Sequence, residues 1–146
     1  MRVALLDVNV LIALVWPAHQ HHEVAHRWFR SRGGGRWATC PLTELAFVRI
    51  LSNPAFSPDA LAPGEALALL EKNLAHPTRD FWADDVSAVE AVGRPYDRIE
   101  GHRQLTDAYL LSMAWRHKGI LPSFDAGIRR IVTKEQGSAL EIIPTA

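Results

Sequence analysis

Cys40 is the sole cysteine in this 146-residue sequence. That rules out an internal disulfide framework and any structural zinc site built from several thiolates, and it suits a reducing cytosol. Charge of one sign is missing too, since 16 Lys plus Arg balance 16 Asp plus Glu. Such a chain does not coat nucleic acid by bulk attraction, although a local grip on a short stretch stays compatible with zero net charge. No apolar run approaches bilayer length. The apolar stretch after Met1-Arg2 is broken by Asp7 and Asn9, which is poor signal-peptide chemistry. Gly33-Gly34-Gly35 lacks the Lys and Ser or Thr of a phosphate-binding loop, so it is not a nucleotide motif. Ser31, Ser52 and Ser112 show no triad pattern. Repeats and low-complexity tracts are absent. The expectation is a cytoplasmic protein with no membrane segment.

What is present suffices for a core: 48% of residues are hydrophobic and 22% charged, and the length fits one domain over 1–146. Val3–Leu6 is apolar on both alternating faces, as in a strand covered on both sides. Val10–Leu14 reads as a short helix. Val24, Ala25, Trp28 and Phe29 recur at helical spacing within His19–Arg32, and the three glycines end that helix. Arg36–Cys40 reads as a strand, and Pro41 opens a helix carrying Phe47, Ile50 and Leu51 on one face. Residues 53–64 hold three prolines and read as a connection. Ala66–Leu74 is a helix, Phe81–Ala83 a short strand and Val86–Val92 a modest helix. Gly93–Arg103 reads as a loop. Thr106–Lys118 is a strong helix closed by Gly119. Ile120–Phe124 is strand-like, with Pro122 marking it as short or at an edge. A helix then follows Asp125, and Leu140–Ile143 is the last strand. This alternation predicts an α/β fold, a mostly parallel sheet with helices on both faces.

In open α/β sheets, sites form beyond the carboxyl ends of the strands. Asp7 and Asp125 fall directly at such ends, and Glu44 and Asp107 stand near helix starts facing the same edge. Each has a plainer explanation. Asp107 would sit in a first helical turn behind Thr106 as N-cap, where the macrodipole favours an acid. Asp7 would cap a helix, jointly with Asn9, and Glu44 has Thr43 beside it. Yet Asp107 aligns with the inward residues Leu110, Leu111 and Ala114, and Asp7 ends a strand buried on both sides. Four crowded carboxylates repel one another unless a cation intervenes, and an all-oxygen set suits Mg²⁺ or Mn²⁺.

Several segments resemble PIN domains, and in particular toxins of the VapC type. Leu5-Leu6-Asp7-Val8-Asn9-Val10-Leu11-Ile12 is similar to their opening strand and turn, and Thr43-Glu44-Leu45 to their second acidic motif. Thr106-Asp107-Ala108-Tyr109-Leu110, after His102-Arg103-Gln104-Leu105, is the closest match. Ser123-Phe124-Asp125 resembles the fourth acidic motif, with Pro122 a departure from the usual strand before it. His22-Glu23-Val24-Ala25-His26-Arg27-Trp28-Phe29 resembles the second helix. The resemblance covers nearly the whole chain and implies a three-layer α/β/α sandwich. It implies Asp7 and Asp107 as principal metal ligands, with Glu44 and Asp125 completing the acidic site directly or through water. Asn9 and Thr106 would orient ligands or water. It further implies Mg²⁺-dependent hydrolysis of RNA, with Mn²⁺ a possible substitute, a homodimer, and neutralisation by a VapB-like antitoxin.

Other residues invite rival readings. His22 and His26 share a helical face and could hold zinc, but no third ligand is evident and a solvated surface is the better account. Arg27, Arg30, Arg32 and Arg36 surround the glycine turn and either contact RNA phosphates or offset a helix dipole. Trp28 and Trp115 are candidates for packing. Two other function classes compete. A non-catalytic PIN-like module for RNA binding or assembly would have no reason to keep all four acids. A receiver-like regulatory domain would need a pair of acids after the first strand and a late lysine following a strand, and Asp7 stands alone there.

Overall fold

The computed structural model describes residues 1–145. Its strands are β1 (Ala4–Leu5), β2 (Trp37–Thr39), β3 (Arg79–Phe81), β4 (Leu121–Ser123) and β5 (Leu140–Ile142). Its α-helices are α1 (Val8–Val15), α2 (His22–Ser31), α3 (Pro41–Leu51), α4 (Pro63–Leu74), α5 (Ala88–Val92) and α6 (Arg103–Arg116). β2 pairs in parallel with β1 and β3, and β4 pairs in parallel with β5. A parallel bridge between Ala4 and Ile120 joins the two groups, through Leu5 N–H to the Ile120 carbonyl at 2.8 Å and Ile120 N–H to the Val3 carbonyl at 2.9 Å. The strand order is therefore 3-2-1-4-5, with β1 at the centre.

Successive residues of each strand serve opposite cores, as a pleated sheet covered on both faces requires. Ala4, Leu6, Trp37 and Ile120 pack with α1, α3 and α4 around Phe47 and Leu51. Leu5, Ala38 and Leu121 pack on the other face against Leu110, Leu111, Met113 and Ala114 of α6. This is the expected three-layer α/β/α sandwich.

Several boundaries differ from the sequence reading. α6 begins at Arg103, three residues before the expected start, so Thr106 is not its N-cap and Asp107 lies in the second turn. The segment 93–103 is not wholly loop, since Tyr96–Arg98 forms a 3-10 turn pinned by Arg98, whose guanidinium donates to the carbonyls of Val92, Gly93, Pro95 and Ile131. After Asp125 the chain makes two 3-10 stretches, Ala126–Ile131 and Lys134–Ala139, rather than an α-helix. β3 sits two residues earlier than expected. Gly119 does follow α6, but the left-handed residue there is Lys118 (φ 58°). Glycine is needed at 119 because a Cβ would collide with the Val3 carbonyl and press on Trp82.

Pro122 is the most informative correction. β4 is short, as expected, with three residues, but it is not an edge strand; it is fully buried and lies between β1 and β5. Both polar groups of Ile120 point to β1 and the Ser123 carbonyl points to β5, where it accepts Ile143 N–H at 2.8 Å. Parallel strands alternate in this way, so Pro122 faces β1 with no N–H to donate. The β1–β4 ladder therefore ends after one bridge, and the two strands part where Asp7 and Asp125 leave them.

Candidate active site

β1 and β4 are neighbours, yet the chain leaves β1 toward β2 on one side and reaches β4 on the other. Their carboxyl ends thus form the switch point where open α/β sheets place their ligands. Asp7 follows β1 and is only 6% exposed. It occupies the N-cap position of α1 but makes no side-chain capping bond, so capping does not account for it. Asp125 follows β4, and its Oδ1 accepts Gly127 N–H at 2.8 Å while its own amide donates to Ser123 Oγ at 3.1 Å. Asp107, half-buried, comes to the same edge from α6. Its place in the second turn weakens the macrodipole explanation, which holds mainly in the first.

The electrostatics of these three acids are coupled. Burial and then the Asp107 carboxylate, joined more weakly by Asp125, push Asp7 up to about 7; the Val8 amide opposes them more than Asp125 adds, and the Ser123 hydroxyl opposes them least. Burial and Asp125 push Asp107 up to about 6. No positive side chain figures among the influences on either acid. A buried carboxyl with acidic neighbours and no cationic partner is the environment that a divalent cation relieves. In donor chemistry the group fits Mg²⁺ or Mn²⁺. As the side chains stand, however, no three or more His, Cys, Asp or Glu among the described residues already form a closed ligand set.

Glu44 approaches from α3. Pro41 begins that helix, Thr43 Oγ1 accepts Cys40 N–H at 3.2 Å, and the Glu44 amide donates to the Cys40 carbonyl at 3.0 Å. The Glu44 carboxylate accepts a 2.7 Å hydrogen bond from the buried Thr39 hydroxyl at the end of β2. It does not figure among the charges acting on Asp7 or Asp107. The fold thus couples Asp7, Asp107 and Asp125, with Glu44 anchored separately on the same edge. Asn9 is exposed on the first turn of α1 and shares a cleft with Asp125, while Thr106 is exposed beside Asp107.

The basic candidates lie elsewhere. Arg36 stands before β2, at the opposite edge of the sheet, and pairs with Asp80 at 2.6 Å. Arg27 and Arg30 are exposed on α2, whose C-terminal end leads toward that same far edge. Arg32 is buried, donating to the carbonyls of Arg2 (2.8 Å) and Arg36 (3.1 Å), so its work is structural. His22 and His26 are neither a metal pair nor simply solvated. Their rings lie 4.4 Å apart and bond the Ala13 and Leu14 carbonyls at 2.7 Å each, satisfying the open C-terminal end of α1. Sequence reasoning gave no role to Thr39 or Ser123. Both are buried hydroxyls at strand ends, which was the available signal.

Strand order, switch-point acids and the spacing between them define a PIN domain, and comparison with known proteins agrees. The family model described as PIN domain matches residues 4–134, and the chain belongs to that family. Its relatives include Ribonuclease VapC39 of Mycobacterium tuberculosis (strain ATCC 25618 / H37Rv), 42% identical over 125 residues, 86% of this chain and 90% of that one. Ribonuclease VapC38 of the same strain is 40% identical over 141 residues, covering 97% and 98%. Ribonuclease VapC44 is 36% identical over 143 residues, covering 98% and 93%.

Proposed function

We propose that this chain is a divalent-metal-dependent endoribonuclease and the toxin member of a toxin–antitoxin pair. The observation that carries the reading is the Asp7 carboxyl, almost fully buried at the switch point, pushed up to about 7 by burial and by acidic neighbours. Keeping such a group is costly unless a cation joins it. The names of the relatives support RNA as the substrate.

Asp7 and Asp107 would hold the cation, with Asp125 and Glu44 completing the acidic set directly or through water. When bound, Mg²⁺ or Mn²⁺ lowers the pKa of a coordinated water and offsets charge on the phosphodiester. The residues themselves bind and orient. Gly127 N–H holds one Asp125 oxygen and leaves the other for the site. The Thr39 hydroxyl fixes the Glu44 carboxylate. Asn9 and Thr106, at the margins, orient water or ligands. In the reaction a water oxygen bonds to phosphorus as one P–O ester bond breaks, with no covalent enzyme intermediate.

The reading extends to a VapB-like antitoxin as partner, since VapC names belong to such pairs, and to a homodimer. Among the described residues no helix is long and apolar enough to cross a membrane. The test is cleavage of single-stranded RNA by the purified chain. EDTA is expected to abolish it, and Mg²⁺ or Mn²⁺ in excess to restore it. Cleavage that survives complete chelation contradicts the metal dependence.

A further inference from the structure

Beside the acids, on the β4 side, lies a cleft of about 280 Å³ lined by Asn9, His19, Gln20, His21, Phe124 and the Ser123–Asp125 backbone turn. None of its lining side chains is a lysine or arginine, so it is not built as a phosphate grip. Its walls are of another kind. The His21 ring packs against the Phe124 ring with centroids 4.8 Å apart and planes tilted by 42°. His19 Nδ1 accepts the His21 backbone N–H at 3.0 Å, so the ring's own N–H is on Nε2 as a donor. Asn9 and Gln20 are exposed and add two side-chain amides, each carrying donor and acceptor. Asp125 closes the cleft on the side of the carboxylates.

We propose that this cleft receives one unpaired nucleobase of the RNA, next to the phosphate being cleaved. The inference rests on the ribonuclease reading and adds what that reading leaves open, the residues that choose the sequence. Single-stranded RNA is recognised by splayed bases that stack on aromatic or histidine rings and bond along their edges. His21, seated on Phe124, supplies the stacking face, and His19 Nε2 and Gln20 supply the edge contacts. His21 lies on Phe124, the residue before Asp125, so a base stacked on His21 brings its own phosphate beside the acids. A peptide occupant would call for an extended apolar or charged groove, and these residues offer a short pocket with neutral hydrogen-bonding groups.

The test uses the full chain carrying Asp107→Asn, which lowers the local negative charge and stops cleavage without altering the cleft lining. The probes are single-stranded octaribonucleotides with 2-aminopurine placed at each position in turn, its fluorescence reporting stacking. Binding is expected to quench one position far more than its neighbours. Gln20→Ala and His21→Ala, each checked for an unchanged circular dichroism spectrum and melting temperature, are expected to weaken binding about tenfold and to erase that quenching. Uniform quenching along the probe, or the same profile in both variants, overturns the proposal, as does failure of the oligonucleotides to bind. The ribonuclease reading is judged separately, by cleavage with Mg²⁺ in the chain without Asp107→Asn. Cleavage there with no positional quenching sinks the base pocket alone.

Discussion

Asp7 and Asp107 make stability fall with rising pH, against an opposite contribution from His19, whose burial lowers its pKa. Asp7 and Asp107 stand above their ordinary range when folded, so between about pH 4 and pH 7 the folded chain holds protons that the unfolded chain has released. Stability without metal therefore falls as pH rises through that window, by an amount on the order of a few kcal/mol at full ionisation. The melting temperature of metal-free protein is expected to drop from pH 5 to pH 8. Mg²⁺ should restore it at pH 8 and do little at pH 5, and Asp7→Asn should flatten the profile while abolishing cleavage. A flat profile in the unsubstituted protein contradicts the burial argument. Thr39 offers a second test at this scale. Thr39→Val keeps the shape but removes the 2.7 Å bond to Glu44. Stability is expected to fall by about 1 kcal/mol, while cleavage falls roughly ten- to a hundredfold, as for groups that orient metal ligands. Activity equal to the unsubstituted chain would show that Glu44 needs no anchor.

At the level of elements, the sheet was readable because its pattern is binary. The apolar run Ala4-Leu5-Leu6 feeds two cores by simple alternation, and the sequence reveals that without knowledge of partners. Helix ends were harder to read. α6 starts at Arg103 because the chain has already turned at Gly101–His102, while Thr106-Asp107 imitates a cap in its second turn. Pro122 rightly marked a short strand but misled on its place in the sheet, for a comparable reason. A proline excludes a strand interior only where its missing N–H is needed, and here it faces the side on which pairing stops. Substitution by alanine returns a donor toward β1 and is expected to draw the two strands together. Hydrogen exchange should then show slower exchange at the β1–β4 junction, with cleavage reduced. Asp7 and Asp125 were legible as strand-end residues, and Glu44 and Asp107 as acids near helix starts. Their mutual coupling, and the separate anchoring of Glu44 by Thr39, depend on which helix ends meet at the switch point, and no local pattern encodes that. The histidines of α2 were opaque for the same reason, since their acceptors are carbonyls of another helix.

For the whole molecule, net neutrality hides a division of labour. The carboxyl edge of the sheet gathers Asp7, Asp107, Asp125, Glu44 and Asp84, whose Oδ2 accepts Leu42 N–H at 2.9 Å, whereas Arg36 and its partner Asp80 belong to the far edge. RNA attraction through bulk charge is thus weak, and the proposed metal supplies the local positive charge that the side chains do not. The same scale holds the proposed dimer. Val89, Tyr96 and Leu105 are exposed and line an apolar hollow of about 330 Å³ between α5 and α6. Such a surface suits burial against a second copy. Val89→Asp is expected to shift the mass in solution from dimer to monomer by light scattering, and an unchanged dimer would place the interface elsewhere.

The central claim is that Asp7 and Asp107 share a divalent cation, and anomalous diffraction from crystals grown with Mn²⁺ tests it most directly. The account expects the strongest anomalous peak between these two carboxylates, and its loss in Asp7→Asn crystals. A strong peak at another set of residues, or none at saturating Mn²⁺, contradicts it.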